Sequence, residues 1–320
     1  MRIARYESGD MERLGVVSGE EIHPLPEGVD LLELLAAGPD ERERITQTAE
    51  TPVALSGVRL LAPLRPPTLR DFVVFEEHVE GVTRSVSGEG GIPEAWYEIP
   101  TFYFGNPYSV IGPHDPVPIP PGCGALDFEL EVAAIVGRAG SNLTPEAARE
   151  HIAGYTILND WSARDIQRHE MQIGLGPAKG KDFANTLGPW IVTADELEPY
   201  RRGDRLALEM EVYVNGEKIG DDTLANMAWS FEELAAYASR GTWIRPGDVL
   251  GSGTCGSGCL AELWGRAGKQ EPPPLAVGDV VRMVVEGIGE IENRIVEGVS
   301  PVPIPRARPA AFRRKRAWGT

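Results

Sequence analysis

The stretch that most constrains this chain is Leu126-Asp127-Phe128-Glu129-Leu130-Glu131-Val132-Ala133-Ala134-Ile135-Val136, where acids alternate with apolar residues and then give way to an unbroken apolar run. That pattern predicts a strand entering a core. At a period of two, Asp127, Glu129 and Glu131 leave one face, and Phe128, Leu130 and Val132 leave the other. Three carboxylates along one strand face repel one another and resist burial. Two readings fit: a solvated edge face, or an oxygen-ligand site for a hard divalent cation such as Mg²⁺, Mn²⁺ or Ca²⁺. Choosing between them requires a second cluster elsewhere in the chain.

A length of 320 residues suits one large domain, or a large one plus a small one, with ample core. A net charge of −17 argues against a nucleic-acid or anionic-membrane partner. No apolar run reaches transmembrane length, and the N-terminus lacks the apolar segment of a signal peptide. Cys255 and Cys259 have no nearby Cys or His partners of zinc-site spacing, so they are expected to serve as small packing residues in a reduced, cytoplasmic protein.

Along the chain, residues 1–65 read as a small α+β module with three short strands and two short helices, closed by the proline-rich Pro66-Pro67. Residues 66–300 form the main domain, and 301–320 a Pro/Arg-rich tail. Arg70–Val74 reads as a strand that leads into a helix near His78. Gly81 to Pro93 is rich in Gly, Ser and Glu, which predicts a mobile loop beside the site, a lid if it closes over one. Gly154–Asp160 is a second strand. Arg164 and Gln167, three apart, share a face if a helix begins at Ser162. Asn215-Gly216 signals a type I′ hairpin, and Ser230 with Glu233 a capping box.

Four groups carry chemistry: Asp71 with His78, Glu129 with Glu131, Asp160 with Arg164 and Gln167, and Lys181. Acids from three segments can surround one hard cation without crowding any single strand. Lys, Arg and Gln beside it suit an oxygen-rich anionic substrate and a developing oxyanion. His78 fits a general base. Taken singly, each has a plain structural alternative: Arg164 pairs with Asp160 or Asp165, Lys181 sits on a loop surface, and His78 is a satisfied histidine.

Asp127-Phe128-Glu129-Leu130-Glu131, Asn159-Asp160-Trp161-Ser162-Ala163-Arg164-Asp165-Ile166-Gln167 and Gly180-Lys181-Asp182-Phe183 resemble the fumarylacetoacetate hydrolase family over roughly residues 69–298. The resemblance implies a mixed, β-rich α+β fold, with a β-sandwich or β-roll C-terminal domain after the small N-terminal α+β module. It implies a homodimer with one divalent cation per chain, Mg²⁺ or Mn²⁺, with Ca²⁺ also admitted. Carried over residue by residue, it gives Asp71, Glu129, Glu131 and Asp160 as metal ligands, and His78 as the residue acting on water. Arg164, Gln167 and Lys181 become the groups stabilising charge, and Tyr103 and Thr254 substrate-binding residues. Glu262 matches the acid that orients the histidine in the family's hydrolases. Smaller relatives take that glutamate three residues after the histidine, where this chain has Gly81.

The implied activity is hydrolytic cleavage of a carbon–carbon bond in an acylpyruvate- or fumarylacetoacetate-like diketo acid, in aromatic-compound catabolism. Isomerisation or decarboxylation of a 2-hydroxyhepta-2,4-diene-1,7-dioate uses the same metal site without water attack and is the alternative. A catalytically idle metal-binding or interaction protein is the reading from another class.

Overall fold

Alternating apolar runs at the start of the chain form β1 (Arg2–Ser8), β2 (Met11–Ser18) and β3 (Glu21–Pro24), an antiparallel meander. The structure, a computed structural model, describes residues 1–9, 11–47, 50–87 and 91–309. Helices α1 (Leu31–Ala36) and α2 (Pro39–Thr46) follow, and Asp30 caps α1 by accepting the Leu32 and Glu33 N–H groups. β4 (Leu69–Phe72) leads into α3 (Glu76–Ser87), and β5 (Phe102–Gly105) returns beside β4. β6 (Leu130–Val136), β7 (Ile152–Asp160) and β8 (Asn185–Thr193) are central, with α4 (Arg164–Met171) between the last two. β9 (Val249–Gly251) and α5 (Leu260–Ala267) complete the elements that carry the site.

Among the described residues twelve strands join one sheet, whose main order is Val53–Ala54, β3, β2, β1, β8, β7, β6, β9, β4, β5. The N-terminal strands are thus continuous with the central ones, Ile3 of β1 facing Ile191 of β8. A second, five-stranded sheet holds the Glu209–Val214 and Glu217–Thr223 hairpin. Asn215 and Gly216 at its turn both have positive φ, +54° and +84°, as a type I′ turn requires. Ser230 and Glu233 make the expected capping box of helix Phe231–Ala238.

β6 explains its own apolar sequence. Val132, Ala134 and Val136 join the core shared with the second sheet, which includes Tyr155, Val212 and Met283. Ala133 and Ile135 join the core on the opposite face, under α1, with Leu35, Leu158 and Ile191. A strand buried on both faces has no polar side to show, so alternation stops where the acids end.

The Gly/Ser/Glu segment departs from the expected loop. α3 continues to Ser87, and residues 88–90 lie outside the described residues. Packing along α5 stabilises a helix whose Gly, Ser and Thr content gives it little propensity of its own. The stretch expected as a lid is therefore helical over its first part.

Arg70 of β4 and Asp248, just ahead of β9, form a buried ion pair at 3.1 Å. Asp248 also accepts the Arg245 N–H at 3.0 Å. This pair locks the parallel β4–β9 contact that sets Asp71 opposite Gly251. Asp248→Ala strands a buried guanidinium and is expected to cost about 3–5 kcal/mol, read as a lower urea midpoint. The double variant Arg70→Met, Asp248→Leu is expected to recover part of that loss.

Candidate active site

The acid row is not one strand face. Leu126–Asp127 is a two-residue strand paired with Ser162–Ala163, Phe128 and Glu129 interrupt it, and β6 starts at Leu130. Asp127 turns away from the other two acids. Its carboxylate accepts the Leu260 and Ala261 N–H groups at 2.8 and 2.9 Å, and Arg164 Nε donates to it at 2.8 Å. The reason lies in α5, whose N-cap residue Cys259 makes no capping hydrogen bond, so its first N–H groups need an acceptor from elsewhere. A helix start without Ser, Thr, Asp or Asn was the available sequence signal.

Glu129 is positioned by the Asn159-Asp160 pair. Its N–H donates to Asn159 Oδ1 at 3.0 Å, and its carbonyl accepts the Asp160 N–H at 3.3 Å. Trp161, fully buried, donates its indole N–H to Thr186 Oγ1 at 2.9 Å and pins the end of β7.

Asp71, Glu129, Glu131 and Asp160 are all buried, and one oxygen from each lies within 4.8 Å of the others. Gly251 leaves the room for this: a Cβ there would stand 2.4 Å from Asp71 Oδ1 and 3.0 Å from Glu131 Oε2. Asp71 Oδ1, Glu131 Oε1 and Asp160 Oδ1 are buried without a hydrogen-bond partner among the described residues. Burial first, and then the neighbouring carboxylates, push Glu131 well above the usual carboxylate range; burial does the same for Asp160 against the pull of Lys181, and raises Asp71 although Glu131 and Lys181 pull it down. For Glu129 burial acts the same way but loses: Arg164, Lys181 and His78 together hold it below that range. Lys181 pairs with both Glu129 and Asp160, and Tyr103 donates to Asp160 Oδ2 at 2.5 Å. Orphaned, buried oxygens in an all-oxygen set fit a hard divalent cation.

Over the cluster opens a cavity of about 740 Å³, lined by Asp71, Glu129 and Glu131 together with His78, Tyr103, Arg164, Gln167, Lys181 and Thr254. Asp160 lies beneath it, bonded to Tyr103 and Lys181. α4 begins at Arg164 rather than Ser162, and the expected shared face is realised: Arg164 donates to Gln167 Oε1 at 3.2 Å and to Glu129 Oε1 at 2.6 Å. Glu262 does not line the cavity. It sits fully buried in the first turn of α5, with Oε2 3.6 Å from His78 Nδ1. Its carboxylate accepts the Ser257 N–H at 2.9 and 3.0 Å and pairs with Arg266. Gly81, on the turn of α3 after His78, abuts it: a Cβ there would be 2.3 Å from Glu262 Cγ. Cys259 Sγ, 3.7 Å from His78 Nδ1, was not singled out, because 181 positions separate the two in sequence. A larger hollow of about 930 Å³ lies beside Arg2, His114 and Trp190, but the described residues place no group of three metal-ligating side chains there.

Residues 68–296 match the family described as fumarylacetoacetate (FAA) hydrolase C-terminal, and residues 1–63 that described as Rv2993c-like, N-terminal. The chain is 30% identical over 245 residues to the fumarylacetoacetase of Dictyostelium discoideum, an alignment that covers 63% of this chain and 57% of that protein, less than two thirds of its length. It is equally 30% identical over 245 residues to the oxaloacetate tautomerase YisK of Bacillus subtilis, covering 76% of this chain and 74% of that one. The solved 5-carboxymethyl-2-hydroxymuconate delta-isomerase of Mycobacterium smegmatis superposes with a TM-score of 0.69 at 26% identity, over 93% of this chain and 100% of that chain.

Because Asp71, Glu131 and Asp160 hold protons above the usual carboxylate range, a cation entering the cluster must displace them. Raised folded-state values mean the ion-free protein loses stability as pH climbs above about 4, the unfolded carboxylate value. Mg²⁺ is therefore expected to bind more tightly as pH rises, releasing protons. Calorimetry in buffers of different ionisation enthalpy checks this, and a heat independent of buffer counts against it.

Proposed function

The chain belongs to the fumarylacetoacetate hydrolase family, and on that premise we propose that it is a divalent-metal-dependent hydrolase that cleaves a carbon–carbon bond in an acylpyruvate-like diketo acid. Residues 66–300 are the catalytic unit in this reading, with residues 1–65 as an appended module and 301–320 as a tail. The observation that carries the hydrolase assignment is Glu262, fully buried behind His78 and fitted into the space that Gly81 leaves.

Asp71, Glu129, Glu131 and Asp160 would hold the cation, whose chemistry when bound is Lewis-acid polarisation of the substrate's oxo and carboxylate oxygens. Glu262 faces Nδ1 and sets the imidazole so that Nε2 points to the cavity and takes a proton from water. Hydroxide then attacks the remote carbonyl. Lys181, Arg164 and Gln167 face the oxyanion that forms, and Tyr103 and Thr254 orient the substrate. Carbon–carbon cleavage follows as the tetrahedral centre collapses, with the leaving fragment protonated as it departs.

The remote wall supports a narrower substrate. Val73, Val82, Met171 and Leu175 contribute to it, and among the described lining residues the only Lys and Arg, Lys181 and Arg164, are paired with the acids. A second carboxylate would meet no unpaired cation there, whereas an apolar acyl tail would cover exposed Met171 and Leu175. Acylpyruvates with alkyl or aryl tails are thus expected to exceed, by about 100-fold or more in kcat/KM, chains of equal length ending in carboxylate. A preference for the dioates overturns this.

The isomerase reading keeps one specific support, the similarity to a tautomerase and to a delta-isomerase. A substrate panel with Mg²⁺ or Mn²⁺ and products identified by mass separates the two: water gained with cleavage means hydrolysis, unchanged mass means isomerisation. Glu262→Gln is expected to lower kcat about 100-fold with little change in KM, since orientation of the base matters most in the transition state. Wild-type turnover in that variant moves the isomerase reading ahead.

A further inference from the structure

Beside the oxygen cluster lies a second convergent set of donors with different chemistry. His78 Nδ1, Cys259 Sγ and a Glu262 carboxylate oxygen lie within 4.8 Å of one another, and all three residues are buried. Nδ1 is 3.7 Å from Sγ and 3.6 Å from Oε2. Around a tetrahedral ion with ordinary metal–nitrogen, metal–sulfur and metal–oxygen lengths, ligand atoms stand about 3.4–3.6 Å apart. Both contacts to Nδ1 are within tenths of an ångström of that spacing, and Sγ and the carboxylate oxygen, within 4.8 Å of each other, close on the same ion by side-chain rotation.

Lone pairs are available for it. Arg266 takes Glu262 Oε1, and the Ser257 N–H is shared between both oxygens, so Oε2 keeps a free position toward His78. Cys259 is held at the head of α5, whose first N–H groups are anchored on Asp127. Burial first, then Asp127 and the nearby glutamates, keep the Cys259 thiol protonated well above its ordinary range, although Arg164 pulls the other way, so the free thiol is a poor nucleophile. Of the three residues, His78 alone is among those lining the cavity. Nitrogen and sulfur donors select against Mg²⁺, Mn²⁺ and Ca²⁺ and in favour of softer ions, so the two neighbouring sites sort cations by softness.

We propose that a thiophilic divalent cation of the zinc, cadmium or cobalt class binds His78 Nδ1, Cys259 Sγ and Glu262 Oε2 and switches the enzyme off. On binding, the Cys259 thiol proton leaves to solvent. The cation takes the Nδ1 lone pair, so the neutral imidazole carries its hydrogen on Nε2. An Nε2 that already bears hydrogen cannot accept one from water. Binding itself stands independently of the hydrolase reading, whereas the loss of turnover rests on the role given there to His78.

The test uses the full chain saturated with Mg²⁺. Cobalt(II) or cadmium(II) is then titrated while thiolate-to-metal charge-transfer absorption is followed, a signal the all-oxygen cluster cannot produce. One equivalent should generate the band, Cys259→Ser and Cys259→Ala should abolish it with Mg²⁺ affinity retained, and Cys123→Ser should leave it intact. In parallel, one equivalent of zinc should lower wild-type turnover about 100-fold or more, and each Cys259 variant should keep its own zinc-free rate in Mg²⁺. No band in the wild type, or a band that survives both Cys259 substitutions, overturns the site. A Cys259-dependent band with undiminished turnover supports the site and overturns its inhibitory effect, together with the role of His78 as base.

Discussion

Four carboxylates buried within a few ångströms of one another would drive a fold apart, and the architecture around them is arranged to offset that repulsion. Arg164 and Lys181 are the compensating charges on the protein's side, and both are buried among the acids they pair with. Their effect is uneven. Glu129 is neutralised by cations, while Glu131 has no such partner and relieves its charge by holding a proton. One oxygen each of Asp71, Glu131 and Asp160 remains without a hydrogen-bond partner among the described residues. A doubly charged ion is the remaining way to compensate them, which is why the cluster fits a cation site better than a structural ion network.

Asp127 shows how that arrangement is tied to the rest of the molecule. It sits two residues before Glu129, yet its bonds run to the Arg164 guanidinium and the first N–H groups of α5. One carboxylate thereby fixes the arginine that faces the site and the helix that carries Glu262. Burying such a group is tolerated because each of its oxygens is met by donors. Gly81 and Gly251 contribute by what they lack, since any side chain at either would collide with Glu262 or with the acids.

The same crowding that positions Glu262 behind His78 brings Cys259 to the same ring nitrogen. An imidazole held between a carboxylate and a thiol is oriented, and it is also exposed to capture by soft ions. In the proposed mechanism, orientation of the base and vulnerability to thiophilic metals are two consequences of one packing arrangement.

Much of this was legible in the sequence. The apolar run Leu130–Val136, the Asn215-Gly216 turn and the Ser230–Glu233 box are local patterns whose physics needs no partner, and they predicted strand, hairpin and helix start correctly, whereas the single strand expected through the acids breaks at Phe128 and Glu129. The acids of the cluster, with His78, Arg164, Gln167 and Lys181, could be named because clustered charge beside apolar strands is costly and rarely idle. Only the tertiary structure decided what depends on residues far apart. It sent Asp127 to a helix end rather than to the acid cluster, because α5 needed an acceptor. It made a helix of the Gly/Ser segment after His78, because packing on α5 outweighs propensity. It also gave Cys259 a histidine and a glutamate as neighbours, although the sequence around that cysteine offers no spacing of a metal site. Sequence specifies periodicity and charge, which act over a few residues. The sheet order β7, β6, β9, β4 specifies which of those charges meet, because hydrogen-bonded register brings strands distant in sequence to the same end of the fold.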